Sequence, residues 1–484
     1  MIFSTTIFVF LFLPLFLIGY YALPFRLRSG WILLGSWIFY AWWRADFLAL
    51  IIATTIWTYL LGGVIVRNRI SAPRRSRSAL ALGVVLNLGI LAYFKYFNFG
   101  VDTFNALLEL IGIARFEAWR VILPIGISFY VFQATSYLVD LYRRDAPAAG
   151  SYVELAAYIS LFPQLIAGPI LRYKDLAHQF RQRNHSFERF SEGAYRFMIG
   201  FCRKVLIADS VAAIADTVFA LQQPGFVGAW LGALAYTAQL YFDFTGYSDM
   251  AIGLGLMMGF RFMENFNYPY ISRSITEFWR RWHISLSTWL RDYLYIPLGG
   301  NRRGPRRTYI NIMLVMLLGG LWHGAAWTFV IWGAWHGIIL AFERLVGVRT
   351  VVQRPADPMR SAAARLWAAF AILRTMLLVI AGWVVFRAPD FSTALALYRG
   401  MLGLAGRGPV ESLAWQLSRL SLTTLAVSLV IIYVEPHLGA IRRRLPRPLQ
   451  YPLDLARVGT FVLFTLAVIK LQAEAFSPFL YYQF

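Results

Sequence analysis

The sequence predicts an all-α polytopic membrane protein, with roughly ten to twelve membrane helices, some of them re-entrant, around a central tunnel. Three observations predict it. Of 484 residues, 59% are hydrophobic, 17% aromatic and only 14% charged, too few charges to cover a water-soluble surface. Charge-poor runs long enough for a helix to cross a hydrocarbon core of about 30 Å recur along the whole chain. The arginines behind the formal net charge of +22 cluster between those runs instead of forming one basic stripe, which points to membrane topology and away from a nucleic-acid partner.

The first run, Ile2–Leu23, has no basic residue before it, which argues against a cleaved signal peptide with its positive leading segment. Trp31–Trp43 and Phe47–Val66 follow, then the cluster Arg67, Arg69, Arg74, Arg75 and Arg77. The positive-inside rule places that cluster in the cytoplasm, and counting back through three spans puts Arg26 and Arg28 inside and Met1 outside. Ala79–Phe97 and Val121–Tyr142 come next, the latter ending on Arg143 and Arg144. Tyr152–Leu171, Phe197–Leu221 and Gly228–Phe260 continue the series, and Ala363–Val385, Leu422–Val434 and Val458–Leu471 close it. Arg302, Arg303, Arg306, Arg307 and then Arg442, Arg443, Arg444, Arg447 are two further cytoplasmic clusters. The strings Leu123-Pro124-Ile125-Gly126 and Phe162-Pro163-Gln164-Leu165-Ile166-Ala167-Gly168-Pro169 put helix breakers inside apolar stretches. Broken backbone at membrane depth is tolerated only where protein or a water-filled cavity satisfies it, so both strings point to a cavity or tunnel. The polar connections Arg344–Arg360 and Gly403–Leu413 are too short to fold alone, so residues 1–484 read as a single membrane domain.

Between Thr308 and Phe342 there is no Asp, Glu, Lys or Arg, and in the middle lies Gly319-Gly320-Leu321-Trp322-His323-Gly324-Ala325. A continuous helix of that length would run about 52 Å, well beyond the hydrocarbon core. Basic residues flank both ends, Arg302–Arg307 before and Arg344, Arg349, Arg354 and Arg360 after. That symmetry favours a re-entrant hairpin with His323 near its turn at mid-membrane, against a single long tilted helix. An ionisable side chain in such a stretch is a functional residue by default, and His323 is the first catalytic candidate.

The string from Glu277 to Tyr293 mixes aromatics and arginines at helical spacing, in the manner of a helix lying near the interface. His283 within it adds a group that can act as base or proton shuttle near neutral pH. His336 lies thirteen residues beyond His323, about 20 Å along a continuous helix and on another face, so His323 and His283 on separate elements make the easier pair. Trp322, Gln133, Asp243, Tyr247, Asp292 and His336 are candidate substrate or tunnel residues. Gln133 and Tyr137 share a helical face, with Asp140 in the same run. Asp243 and Asp249 fall on different sides of a helix and read as satisfied buried carboxylates, not as metal ligands. His178 and His185 read as solvated, and His437 as interfacial. The single cysteine, Cys202, excludes an internal disulfide and Cys-pair zinc sites. No metal is expected, and phosphate-loop, zinc-helix and nucleophile-elbow motifs are absent from the sequence.

Phe278-Trp279-Arg280-Arg281-Trp282-His283-Ile284-Ser285-Leu286-Ser287, Arg291-Asp292-Tyr293, Pro297-Leu298-Gly299-Gly300-Asn301-Arg302 and Leu321-Trp322-His323-Gly324-Ala325 resemble the membrane-bound O-acyltransferase superfamily. The similarity is strongest to its bacterial alginate O-acetylation branch, whose members also carry counterparts of Ile2-Phe3-Ser4 and Phe39-Tyr40-Ala41-Trp42-Trp43. It spans almost the whole chain. The resemblance implies acyl transfer across the bacterial inner membrane, with His323 essential and His283 where many eukaryotic members carry an asparagine. It also implies acetyl-CoA as donor substrate, no bound cofactor, and a separate periplasmic transferase of the SGNH-hydrolase type. The acceptor would be a polysaccharide such as alginate or cellulose, or peptidoglycan. His323 would either deprotonate an acceptor hydroxyl or carry the acetyl group itself, and the sequence leaves both open. The rival reading is a transporter-like component without acyl chemistry, which broken helices would also suit, though no internal pseudo-symmetry is visible.

Overall fold

The computed structural model describes residues 1–348, 361–405, 417–444 and 451–473, and among them every regular element is a helix. Arg349, Arg354, Arg360, Arg447 and most of the connection Gly403–Leu413 lie outside the described residues. Among the described residues, four helices are long and apolar enough to cross a membrane: Asp46–Asn68, Pro73–Leu110, Ala362–Arg387 and Arg419–Leu438. Phe8–Ala22 and Val458–Ala473 are shorter apolar helices. Large aliphatic side chains such as Leu60, Val85, Leu366 and Val430 stand exposed on these helices, as lipid-facing positions require. The chain divides into two compact units, residues 1–194 with 251–263, and residues 195–250 with 264–484.

In the first unit, Asp46–Asn68, Pro73–Leu91 and Ile127–Arg143 pack through glycines. A Cβ on Gly62 would lie 3.0 Å from Leu141 and 3.1 Å from Tyr137, so the small residue lets the helices approach. The predicted run Val121–Tyr142 becomes helical only at Ile127, after Gly126 takes a left-handed φ of 74°. Tyr152–Leu171 is not one helix. It breaks into Tyr152–Ser160, a single turn Phe162–Leu165 and an irregular segment, buried from Leu155 to Leu171. The broken backbone is satisfied internally: the Phe162 N–H donates to Ser36 Oγ (3.1 Å), and Gln164 Nε2 donates to the Tyr158 carbonyl (2.8 Å). The Tyr158 hydroxyl donates to the Leu171 carbonyl (2.9 Å). This is how irregular chain survives away from water.

His185 corrects the solvated reading. It is half-buried, with Nε2 2.9 Å from the Tyr20 hydroxyl and 3.1 Å from Arg28 Nη1, whereas His178 is exposed as expected.

In the second unit the uncharged stretch is two helices, Gly304–His323 and Trp327–Leu345, separated at Gly324–Ala326. They run antiparallel. Cβ atoms built on Gly320, Gly333 and Gly337 would meet Phe329, Met316 and Met313 in turn, so the closest positions sum to nearly the same number all along the pair. Each arm is about 30 Å long at 1.5 Å per residue.

The string from Glu277 to Tyr293 also departs from a single helix. It forms Ile275–Arg281 and Ile284–Leu290, followed by the π-turn Arg291–Tyr295. The break is His283 itself, at φ 44°, a left-handed conformation costly for a residue with a Cβ. Tertiary bonds hold it: the Ile284 N–H donates to the Asn265 carbonyl (2.9 Å), and the Asn267 N–H donates to the Arg281 carbonyl (2.9 Å).

Candidate active site

Helix Ile275–Arg281 begins on Ser274, whose Oγ accepts from the Glu277 N–H (3.0 Å). Glu343, on the second hairpin arm, accepts from the Ile275 N–H (2.7 Å), the Thr276 N–H (2.8 Å) and the Thr276 hydroxyl (2.7 Å). A carboxylate at a helix N-terminus meets both the orphan N–H groups and the positive end of the dipole. This clamp fixes the segment bearing His283 against the hairpin bearing His323. The buried Arg281–Glu277 pair (2.8 Å) and the bond from Arg281 Nη1 to the Asn267 carbonyl (3.0 Å) hold its other end.

His323 is the last residue of the first arm and is almost completely buried. Its ring centre lies 6.3 Å from that of His283, 5.0 Å from Trp322, 5.1 Å from Trp332 and 5.4 Å from Phe386. Gly324 follows because a Cβ there would run into the Phe329 ring. His336 is also buried, and the chain break brings it near: the Trp332 indole touches both His323 and His336, the latter at 5.0 Å. The His336 ring stacks on Phe278 (6.3 Å, interplanar angle 9°) and meets the edge of Trp279 at 5.3 Å.

Asn265 decides the tautomer of His283. Its Oδ1 receives the Ser285 N–H (3.3 Å) and the Ser285 hydroxyl (2.8 Å), and it lies 3.2 Å from His283 Nδ1. A backbone N–H can only donate, so the Asn265 atom at this junction is the oxygen. His283 Nδ1 must therefore carry the proton toward it, leaving Nε2 with the lone pair. Among the described residues, His283 Nε2 has no hydrogen-bond partner, and neither do Trp279 Nε1, Trp332 Nε1 or the two ring nitrogens of His336. Each buried orphan of this kind costs about 1–3 kcal/mol. All of these residues belong to the aromatic cluster of indoles and phenyl rings packed around His323 and His336.

Asn265 also faces a cavity of about 540 Å³ in the same unit. Its charged wall is one network: Arg196 pairs with Asp249 (3.0 Å) and Glu264 (2.5 Å), while Arg203 pairs with Asp249 (2.6 Å) and Glu435. Ser248, on the same wall, has a buried hydroxyl without a partner.

The remaining sequence candidates fall elsewhere. Asp243 is a buried carboxylate 3.0 Å from Lys204 Nζ, which also binds Asp209 (2.7 Å), in keeping with a satisfied buried carboxylate. Tyr247 is buried in the long helix Phe226–Met257. Asp292 pairs with its neighbour Arg291 (2.7 Å). Gln133 belongs to the first unit, buried with neither amide atom bonded, while Tyr137 accepts from the Ala149 N–H (3.1 Å) and Asp140 pairs with Lys174 (3.3 Å). No cluster of metal-ligating side chains occurs among the described residues. Asn265, Glu343 and Trp332 escaped the sequence reading. Glu343 had a signal, as the first carboxylate after the uncharged stretch; Asn265 had none, since its partner is eighteen residues away.

The family model for the membrane-bound O-acyltransferase family, MBOAT, matches residues 132–386. The chain is 52% identical, over the full length of both proteins, to the "Probable alginate O-acetylase AlgI" of Pseudomonas putida. It is 50% identical, again end to end, to the protein of that name from Azotobacter vinelandii. A "Peptidoglycan O-acetyltransferase" of Helicobacter pylori is 37% identical over 84% of this chain and 80% of its own length.

Proposed function

Since this chain belongs to the membrane-bound O-acyltransferase family and is therefore a multi-pass membrane O-acyltransferase, we propose that it acetylates an extracytoplasmic polysaccharide, alginate, through His323 and His283. The acetyl group comes from acetyl-CoA on the cytoplasmic side of the bacterial inner membrane, with Met1 outside. A periplasmic SGNH-type transferase completes delivery to the polymer. Residues 1–484 work as one functional membrane domain.

The observation that carries this reading is the pairing of His323 with His283 at 6.3 Å, on elements clamped together by Glu343. In the transfer, an acceptor oxygen attacks the thioester carbonyl, a C–O bond forms, and the C–S bond breaks to release the thiol. The acceptor proton passes to an imidazole lone pair and from there to the leaving sulfur. His323 is the residue at the reacting carbonyl, as base or as transient acetyl carrier. His283, neutral with Nδ1 held by Asn265, offers Nε2 for the proton.

Asn265→Ala is expected to lower kcat by roughly tenfold to a hundredfold with little change in KM, because the imidazole loses the bond that fixes its tautomer. A kcat within twofold of wild type would remove Asn265 from the reaction.

The function is tested by supplying the purified protein in nanodiscs with labelled acetyl-CoA, a periplasmic SGNH-type transferase, and alginate, cellulose or peptidoglycan fragments in parallel. Label reaching alginate is the expected result. Label reaching only peptidoglycan would replace the acceptor, and absence of acetyl-CoA turnover with every acceptor would overturn the donor.

A further inference from the structure

Two guanidinium groups of the first unit, Arg28 and Arg183, take part in no ion pair among the described residues. Arg183 is buried, and its Nε, Nη1 and Nη2 make no hydrogen bond. Its guanidinium carbon sits 4.7 Å from the ring centre of Phe260, 4.9 Å from Phe25, 5.8 Å from Phe180 and 5.9 Å from Tyr20. Aromatic faces offset part of the charge but offer no acceptor for the five N–H donors.

Arg28 stands over the same Tyr20 ring at 5.0 Å and over Tyr21 at 5.6 Å. Its Nε donates to the Leu23 carbonyl (3.0 Å) and its Nη1 to His185 Nε2 (3.1 Å), so its contacts are with neutral groups and with no carboxylate among the described residues. A guanidinium only donates, so His185 Nε2 is the lone-pair nitrogen and the ring is neutral. Burial first, then Arg28 and Arg183, holds the His185 pKa below its ordinary value. The cluster therefore carries two positive charges that repel each other, with a neutral imidazole between them. Burying such charges without a paired counter-ion is unfavourable, and no described residue forms an ion pair with either guanidinium.

We propose that Arg28, with Arg183 behind it, binds a phosphate group supplied from outside the chain. Guanidinium is the side chain that matches phosphate geometry, through paired N–H donors. Two sources carry that chemistry, an anionic phospholipid headgroup and a soluble phosphate. The surroundings favour the lipid: Ile18 and Leu27, on the helices that carry Tyr20 and Arg28, are 67% and 55% exposed, so both helices present apolar surface that acyl chains can cover.

The test uses the full chain in maltoside detergent, which carries no phosphate. Binding of labelled phosphatidylglycerol and of labelled inorganic phosphate is measured separately for wild type, Arg28→Gln, Arg28→Lys and Arg183→Gln. Saturable lipid binding by wild type, weakened about tenfold or more in Arg28→Gln and to a lesser degree in Arg28→Lys, which keeps the charge but loses the paired donors, is the expected result. Saturable binding of inorganic phosphate with the same variant pattern would assign the site to a soluble phosphate. Arg28 is half-exposed, so Arg28→Gln carries the test if the buried Arg183→Gln misfolds. Equal affinities in wild type and Arg28→Gln, or no saturable binding of either probe, would overturn the proposal.

Discussion

His323→Ala is expected to lower acetyl-CoA turnover by about a thousandfold or more, because it removes the only imidazole placed both at the hairpin turn and against His283. A positioned acid–base group is worth about 10² to 10⁴ in rate, and a group that also carries the acetyl would be worth more. Alanine leaves a hole between Trp322, Trp332 and Phe386, so part of any loss could come from packing. His323→Gln fills that volume and keeps hydrogen bonding while removing the basic lone pair. Both variants should lose turnover while eluting as the wild-type particle in size-exclusion chromatography. A Gln variant with more than about a tenth of wild-type turnover would show that the residue is not the acid–base group or carrier. Hydroxylamine release of labelled acetate from trapped wild-type protein, absent in His323→Gln, would mark the acetyl-carrying route; the same turnover loss without a trapped adduct would mark the base.

Gly320→Ala is expected to destabilise the protein by about 1–3 kcal/mol and to lower the yield of folded particle, although it adds one methyl group. A Cβ at 320 would fall on the Phe329 carbonyl oxygen and 3.3 Å from Gly333 Cα, so the obstacle is backbone that cannot rotate away. The cost is opening the two arms, which would also move His323 away from Trp332. Gly319→Ala is the control. Its Cβ would meet only Leu290 Cδ1, at 3.4 Å, an ordinary contact, and alanine is the better helix former. Thermal unfolding in detergent should separate the two variants by a wide margin, and equal midpoints would refute the close-packed hairpin.

Much of the site was legible in the sequence for a simple reason. Lipid makes an intramembrane charge expensive, so thirty-five residues without one around His323 mark the hairpin and single out His323 as the candidate within it. The length of that stretch against the core thickness forced a break, and the glycines beside His323 marked where. Local spacing misled where tertiary bonds overrule propensity. The string from Glu277 to Tyr293 has the composition of one helix, yet Asn265 and Asn267 hold it open at His283 in a left-handed conformation. Tyr152–Leu171 has the hydropathy of a span, but buried partners let it run irregularly.

Composition, the spacing of apolar runs and the arginine clusters alone determined that this is a helical membrane protein, since each reports directly on transfer between water and lipid. The sequence also singled out His323 as the first catalytic candidate. Only the tertiary structure decided what surrounds it: that His283 lies 6.3 Å away, that Asn265 fixes its tautomer, and that Glu343 locks the two elements together. It likewise decided that Gly320 and not Gly319 meets the opposite arm. These are contacts between residues far apart in the chain, set by how helices pack and not by any local period, so no window of sequence contains them.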